Sequence, residues 1–568
     1  MNPFNHDIAA PETPLVNVNF NGKWIQVPKG ANVVEVTREQ DEFLPHYCYH
    51  PKLSISGNCR MCLFEMGTPK MDAKRQPVMG ADGKPEIAWI PKPQIGCATQ
   101  VTEGMGIRTN SPLAEECRKG VMEFLLINHP LDCPICDQAG ECKLQEYSSE
   151  YGTNTSRFVE EKVKKPKLFD LGRNIMLDDE RCILCTRCIR FAKEVMDDDV
   201  LGIVNRGSHN TVTCHPNKRF DNNYSLNTVD ICPVGALTSK DFRFKMRVWF
   251  LKETNSICTS CGTGCNVTVG SREGVVYRLT PRENEEVNSL WMCDAGRLNI
   301  HYLHDEKRFS RPLARVSGDL FESGWDDVLG QASRRLKAFS GGQIAVVASA
   351  RMTNEELFLA KLWIDELKVS LYDVVPRAGK ADGFLRSADL NPNSSGARLL
   401  GVSKEGKDLP AIRDAVKSGA IKALIVLHED AAEIGLTPED LKKLDLIVFV
   451  GLIPNATTQA AHFILPAAGF AEKRGSMINV NGRLQRLNPA HQPPGEALED
   501  WEILRDLRSQ TTGGNGIGSV EDVFHAMAGQ ISVLSGLCLG RIGDMGVPLD
   551  LEAKAPKRES SPAGVAAS

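Results

Sequence analysis

The chain reads as a multidomain α+β and α/β protein, a series of small sheet-and-helix modules followed by one parallel α/β half. Two observations predict this. Fifteen of the 18 cysteines, with one histidine, fall into consecutive sets between Cys48 and Cys293, and after about Arg311 apolar runs of strand length alternate with helical patterns. A third observation is length: 568 residues exceed what one core serves, and at roughly 100 to 200 residues per domain they call for about three to five.

Bulk properties exclude several classes. The N-terminus, MNPFNHDIAAPETP, has no basic start and no apolar run, so no export signal is read there and a reducing cytoplasm is expected. The most apolar late stretch, Phe524 to Leu539, is broken by polar residues and is shorter than the roughly 20 residues a bilayer needs, so no membrane span is expected. A net charge of -5, from 67 basic and 72 acidic residues, gives no polybasic footprint for nucleic acid or anionic lipid.

The first cysteine set is Cys48-x10-Cys59-x2-Cys62-x34-Cys97. Plant-type 2Fe-2S ferredoxins use a first gap, a two-residue gap and a distant closing cysteine, and this set keeps that order with a longer first gap. Upstream, LVNVNFNGKWIQVPKG alternates apolar and polar residues across an Asn21-Gly22 hairpin turn, as a small sheet domain should. Gly57 lets the backbone pass close to a cofactor, and Thr68 to Pro93 reads as an insertion. A four-cysteine zinc site would offer two close pairs rather than this 1+2+1 arrangement, so 2Fe-2S is assigned.

The second set is His129-x3-Cys133-x2-Cys136-x5-Cys142. One imidazole in place of a thiolate removes a negative charge and shifts a cluster potential upward; taken alone, the same donors fit a zinc knuckle equally well. The preceding SPLAEECRKGVMEFLLINHP predicts a helix with Ala114, Val121 and Leu125 on one face, presenting His129 at its end, with Pro130 as the stop.

The third set, Cys182, Cys185 and Cys188 closed by Cys232-Pro233, is the ferredoxin arrangement for 4Fe-4S, three ligands from one tight loop and the fourth from a second motif. A two-cluster ferredoxin would carry further cysteines where this chain has Ala192, Asn222, Ser225 and Thr228, so one cluster is expected. The fourth set, Cys258-x2-Cys261-x3-Cys265-x27-Cys293, suits a 4Fe-4S cube at the edge of a small sheet domain, with Val267 to Leu279 alternating as strands; two of its gaps also fit zinc. Of the remaining cysteines, Cys117 and Cys538 read as small buried apolar residues and Cys214 as no ligand.

In the cysteine-free half, IAVVAS (Ile344 to Ser349), ALIVLH (Ala423 to His428) and LIVFVG (Leu446 to Gly451) predict buried parallel strands, and Thr353 with Glu356 predicts a capping box opening a helix whose Leu359, Leu362, Trp363 and Leu367 share a face. The glycine-rich TTGGNGIGS, Thr511 to Ser519, lacks phosphate-loop spacing and reads as a flexible connection. No nucleotide fingerprint marks a site for NADH or FMN, and the final AKAPKRESSPAGVAAS reads as disordered.

The sequence NHPLDCPICDQAGEC, then RCILCTRCIRF, DICPVGAL and CDAGRL, closely resembles the large iron-sulfur subunit of bacterial NADH:quinone oxidoreductase, respiratory complex I, over about the first 310 residues. The stretch ILPAAGFAEKRGSMINVNGRLQR followed by Trp501 resembles the molybdopterin oxidoreductases, in a shorter domain with no residue placed as a molybdenum ligand; no molybdopterin is expected. The resemblance implies a β-grasp 2Fe-2S ferredoxin-like domain (14–108), a helical His/Cys3 4Fe-4S segment (109–155), a ferredoxin-like 4Fe-4S domain (170–248), a small sheet 4Fe-4S domain (251–310), a reduced molybdopterin-oxidoreductase-like α/β domain (311–540) and a tail (541–568). It further implies one 2Fe-2S and three 4Fe-4S clusters, with the fourth set off the main path. Electrons would arrive from the NADH/FMN flavoprotein and leave through hydrophilic connecting subunits toward quinone, with proton translocation coupled by partner subunits. The expected location is peripheral, on the cytoplasmic side of the bacterial inner membrane. No general acid, base or nucleophile is sought on such a chain, because the chemistry is the cofactors'. Two rivals are the cluster-bearing subunit of an NAD-linked hydrogenase or formate dehydrogenase, and a zinc-stabilised scaffold.

Overall fold

The computed structural model describes residues 13–551. The disordered tail expected from Ala553 onward lies outside them. Residues up to Phe250 form one compact unit and those from Leu251 a second.

The first unit opens with the hairpin read from the sequence. Strands Leu15–Phe20 and Lys23–Pro28 pair in antiparallel register, and Asn21 and Gly22 turn between them with φ of 48° and 89°, both left-handed as a tight hairpin requires. Leu15–Phe20 then pairs parallel to Gly106–Arg108, which pairs antiparallel to Leu63–Pro69 in a six-stranded sheet. Helix Val33–Glu39, capped by the Asn32 side chain, buries Val33, Val34 and Val36 in the core with Val18, Phe64 and Ile107. The stretch expected as an insertion is largely exposed, but Ile87–Trp89 within it joins the sheet beside Gly67–Pro69. There Gly67 leaves room for the Ile87 and Trp89 side chains, which a Cβ would strike.

Helix Pro112–Leu126 starts at the Ser111 cap and ends before Pro130, as expected. Its buried face is Ala114, Arg118 and Met122, with Val121 and Leu125 only partly covered. The arginine is tolerated there because its guanidinium donates to the Thr109 carbonyl and lies over the Tyr151 ring. Beyond helix Lys143–Tyr151, strands Phe169–Asp170, Ile175–Leu177 and Leu237–Ser239 form a small antiparallel sheet, and Leu201–Val204 pairs with Thr211–Cys214. Ala192, Ser225 and Thr228, where a second ferredoxin cluster would need cysteines, are packed with 1% exposure or less.

The second unit begins with Lys252–Ile257, Asn266–Arg272 and Val275–Pro281 as an antiparallel meander, matching the alternation seen from Val267 to Leu279. The α/β half is a seven-stranded sheet. Its parallel strands run in the order Leu371–Val374, Ile344–Ala348, Ala423–Leu427, Leu446–Gly451, Phe463–Pro466, and the hairpin Leu313–Val316/Asp319–Glu322 closes one edge antiparallel. Ile344–Ala348, Ala423–Leu427 and Leu446–Gly451 are buried along their whole length because both faces are covered, which is why they read as continuous apolar runs. Gly513, left-handed at φ 82°, ends helix Asp500–Thr512, and Ser519 caps helix Val520–Gln530, so the glycine-rich stretch serves as a helix stop and restart. Residues 541–551, placed in the tail by the domain division drawn above, carry Val547–Pro548, which pairs with Arg483–Leu487.

Helix Asn354–Glu366 has the predicted capping box of Thr353 and Glu356, but is buried nearly all round rather than on one face. Its first turn therefore carries two carboxylates into the interior. Glu356 pairs with buried Lys473, which also reaches Asp500; Glu355 accepts hydrogen bonds from the backbone N–H and hydroxyl of Ser476. Burial pushes Glu355 up to about 7 from an ordinary 4.5, against the pull of those hydrogen bonds. A carboxyl whose folded value is raised stabilises the fold fully below its unfolded value and loses that stabilisation as pH rises through the folded one. The α/β half should therefore lose on the order of 3 kcal/mol from this group between pH 4.5 and 7. Thermal unfolding followed over that range should show Glu355→Gln with a distinctly flatter pH dependence than the parent chain; an unchanged slope would remove Glu355 as its source.

Candidate metal centres

Most of the sixteen predicted ligands are carried on loops between short elements, with Cys97 and Cys133 in 3-10 turns and Cys188 in the short helix Arg187–Arg190, and each set has at least one residue in the left-handed region. These are Arg60 (62°), Gly140 (93°), Leu184 (54°) with Thr186 (63°), and Gly264 (63°). Left-handed turns bring successive backbone N–H groups to one side, making a concavity suited to negative charge. The N–H groups do meet sulfur. Tyr47 and Cys48 donate to the Cys59 Sγ at 3.5 Å, Leu184 to the Cys182 Sγ at 3.4 Å, and Gly296 to the Cys293 Sγ at 3.3 Å.

In the first set all four thiols meet: Cys48 accepts from Cys59 and Cys97, and Cys62 accepts from Cys97. These bonds hold Cys48 and Cys62 below the ordinary thiol range and drive Cys59 and Cys97 above it. In the third set, Cys182, Cys185, Cys188 and Cys232 surround one cavity whose other walls include Leu177, Val212, Val234 and Leu237. Burial pushes Cys182 up to about 12 and Cys185 to about 11, and raises Cys188 and Cys232 as well. The fourth set repeats this design: Cys258, Cys261, Cys265 and Cys293 ring a cavity closed by Met292, Leu385 and Arg386, and burial lifts Cys258 to about 12 and Cys293 to about 11. Leu385 is fixed there by the Thr263 hydroxyl bonding to its carbonyl.

The second set is the most open. Cys133 is exposed, while Cys136 and Cys142 are buried. The three thiols lie within electrostatic range of one another, and His129 shares the field of Arg181 with Cys136. Burial, with Arg181 and Lys162 beside it, lowers His129 to about 4, leaving the neutral imidazole that a metal takes. Among the described residues, no group of three or more His, Cys, Asp or Glu side chains could hold a single metal ion.

The donors fit iron-sulfur chemistry. Buried thiols in an apolar cavity cannot all ionise, since desolvation and mutual repulsion both oppose it, whereas a cationic iron core takes them as thiolates and receives the N–H groups already aimed at sulfur. The cysteines outside the sets are half-buried rather than fully buried, which corrects the reading of Cys117 and Cys538; Cys214 donates its S–H to the Leu171 carbonyl.

Three of the sets touch one another inside the first unit. Arg190 Nη2 donates to the carbonyl of Cys48 at 2.5 Å and to that of Cys185 at 3.2 Å, bridging the first and third sets with one guanidinium. Arg187 donates to the Tyr49 carbonyl, and Asn58 to that of Leu184 at 3.0 Å. The third set meets the second at Gly235, where a Cβ would stand 2.3 Å from the Cys136 Sγ, and where Lys143 N–H donates to the Pro233 carbonyl at 3.0 Å. Between the first and second sets stands buried Tyr47, its ring 5.0 Å from that of Tyr147, and burial, with Tyr147, Cys142 and Cys59 in range, keeps its hydroxyl protonated. Sequence reading assigned none of these bridging roles. Arg187 and Arg190 lie inside RCILCTRCIRF and Gly235 inside DICPVGAL, but spacing alone gives a non-ligand no function.

Loops of this kind, on small sheet modules preceding a doubly wound domain, define an iron-sulfur oxidoreductase component. Matches to family models follow the same order along the chain: 2Fe-2S iron-sulfur cluster binding domain (13–112), NADH-ubiquinone oxidoreductase-G iron-sulfur binding region (118–157), NADH-quinone oxidoreductase subunit 3 ferredoxin-like domain (172–238), NADH-ubiquinone oxidoreductase NDSU1/NuoG-like 4Fe-4S domain (251–301) and molybdopterin oxidoreductase (372–510). The NADH-quinone oxidoreductase G subunit of Rickettsia conorii is 31% identical, with 92% of each chain aligned, and that of Rickettsia prowazekii 38% identical over 92% of this chain and 91% of its own. The chain belongs to the family of NADH-quinone oxidoreductase G subunits. Among solved structures, an NAD+-reducing [NiFe]-hydrogenase in the H2-reduced state matches 41% of this chain and 91% of its own at 21% identity, with a TM-score of 0.32. No helix among the described residues is long and apolar enough to cross a membrane.

The Gly235 contact gives a direct test. Gly235→Ala pushes a methyl group against the Cys136 sulfur, so the purified protein should lose about one 4Fe-4S cluster's worth of iron and sulfide, and the missing magnetic-resonance signal should be the one that His129→Cys shifts. Full iron content with an unaltered spectrum would mean that the two loops stand further apart.

Proposed function

We propose that this chain is the electron-relay subunit of its complex, carrying a 2Fe-2S cluster on Cys48, Cys59, Cys62 and Cys97 and 4Fe-4S clusters on His129/Cys133/Cys136/Cys142, on Cys182/Cys185/Cys188/Cys232 and on Cys258/Cys261/Cys265/Cys293. The clusters, when bound, supply reversible one-electron carriers; the residues fix their spacing, dry their surroundings and donate hydrogen bonds to their sulfurs. The observation that carries the reading is the direct stitching of three ligand loops, through Arg190 between the first and third sets and at Gly235 between the third and second. It favours the order first, third, second. The NADH/FMN flavoprotein would feed the first set, and hydrophilic subunits toward quinone would draw from the second, whose exposed Cys133 offers the open edge. The fourth set belongs to the other compact unit and would lie off this route. Proton translocation belongs to membrane partners, and the chain would sit on the cytoplasmic face of the bacterial inner membrane.

Native purification from membranes with identification of the co-purifying chains tests the assignment: a flavoprotein with antiporter-like membrane subunits is expected, and a hydrogenase or formate dehydrogenase partner would overturn it. Within the assembled complex, Cys185→Ser should abolish one 4Fe-4S signal and block NADH-driven quinone reduction. Normal turnover in that variant would take the third set off the main path. Cys261→Ser should lower the amount of assembled complex while leaving turnover per complex within about twofold, and a large loss in intact complex would place the fourth set on the path.

A further inference from the structure

The α/β half contains a cavity of about 310 Å³ to which the relay assigns no part. Arg351 reaches it from the segment after strand Ile344–Ala348, His428 from the end of Ala423–Leu427, Asn455 from beyond Leu446–Gly451 and Lys473 from beyond Phe463–Pro466, while Asn299 and Tyr302 come from the segment after Cys293. Four carboxyl ends of parallel strands therefore face one space. Strand order reverses between Ile344–Ala348 and Ala423–Leu427, so the cavity occupies the crevice where open α/β sheets take their ligands.

Three basic side chains, Arg351, His428 and Lys473, border the cavity and no carboxylate lines it, although Lys473 and His428 are paired behind it with Glu356 and Asp500. The Arg351 side chain is exposed and makes no hydrogen bond or ion pair among the described residues. The Tyr302 hydroxyl likewise has no hydrogen-bond partner among the described residues, and it stands in the fields of both Arg351 and Lys473. Lys473 Nζ spends two protons on Glu356, at 2.9 Å, and Asp500, at 3.2 Å, leaving the third for the cavity. His428 is held through Nε2 by Asp500 and sits at φ 57°, a left-handed conformation that non-glycine residues keep where the surroundings impose it. The nearby helix N-terminus is no competitor for an anion, because Glu356 already closes it through the capping box.

We propose that this cavity binds a small phosphate-bearing ligand, its phosphoryl oxygens held by Arg351, Tyr302 and Lys473. Donors arriving from separate segments around one point suit a tetrahedral oxyanion, whereas a planar carboxylate is satisfied by one guanidinium. The Phe449 and Phe470 side chains supply an apolar wall for whatever the phosphate carries.

The test uses the full-length chain purified anaerobically with its clusters, equilibrium dialysis against labelled pyrophosphate and AMP, and thermal unfolding in matched sulfate. Saturable binding of about one phosphate probe per chain is expected, at least about tenfold tighter than sulfate, and weakened about tenfold by Arg351→Gln or Tyr302→Phe with iron content unchanged. Tighter binding of AMP would identify a nucleotide as the source of the phosphate, and tighter binding of pyrophosphate an inorganic one. Absence of saturable binding, sulfate bound equally well, or binding indifferent to both substitutions would overturn the proposal. None of these readouts depends on the order of the relay.

Discussion

The cost of burying thiolates away from water, added to by their mutual repulsion, is the constraint that organises the cysteine-rich modules. Four sulfurs gathered in an apolar cavity resist ionising, and the rise of Cys182, Cys185, Cys258 and Cys293 to about 11 or 12 expresses that resistance. Cationic iron relieves it, and so do backbone N–H groups, which explains why the ligand loops contain left-handed residues that turn amides toward sulfur. The small sheets and short helices around them then need to do little more than hold loop ends in place. Cores such as that of Val18, Val33, Phe64 and Ile107 are correspondingly modest.

The second unit handles buried charge differently. In its α/β half, Lys473 is neutralised by Glu356 and Asp500, His428 by Asp500, and Arg308 by Glu472, all within a sheet domain whose two faces are otherwise apolar. Such pairs are costly to desolvate and more costly to break, so removal of one member leaves an uncompensated charge. They cluster near the carboxyl ends of the parallel strands, where backbone changes direction and packing leaves space. Charge networks and cavity thus share one location for a common topological reason.

Much of this was legible in the sequence, and the boundary of legibility has a physical cause. The gathering of the thiols of the first, third and fourth sets was readable because metal chemistry fixes residue types and short gaps. The buried strands were readable because covering both faces leaves an uninterrupted apolar run, and the Asn21-Gly22 turn and the Thr353/Glu356 box because they are local. What escaped depends on residues distant in sequence. Arg118 looks like a surface residue until Thr109 and Tyr151 meet it, and Glu355 looks like a solvated first-turn acid until Ser476 covers it. The strand that Val547–Pro548 adds to Arg483–Leu487 is likewise decided by neighbours far along the chain.

The guanidinium of Arg190 has a consequence for how the protein matures. It holds the carbonyls of Cys48 and Cys185 at once, so the loop that closes on one centre is already half immobilised when its neighbour is in place. The entropy of ordering two loops is then shared rather than spent twice. With the clusters proposed above, filling of the two centres would be cooperative: a chain that received one cluster would be prepared to receive the other, which would disfavour half-loaded molecules.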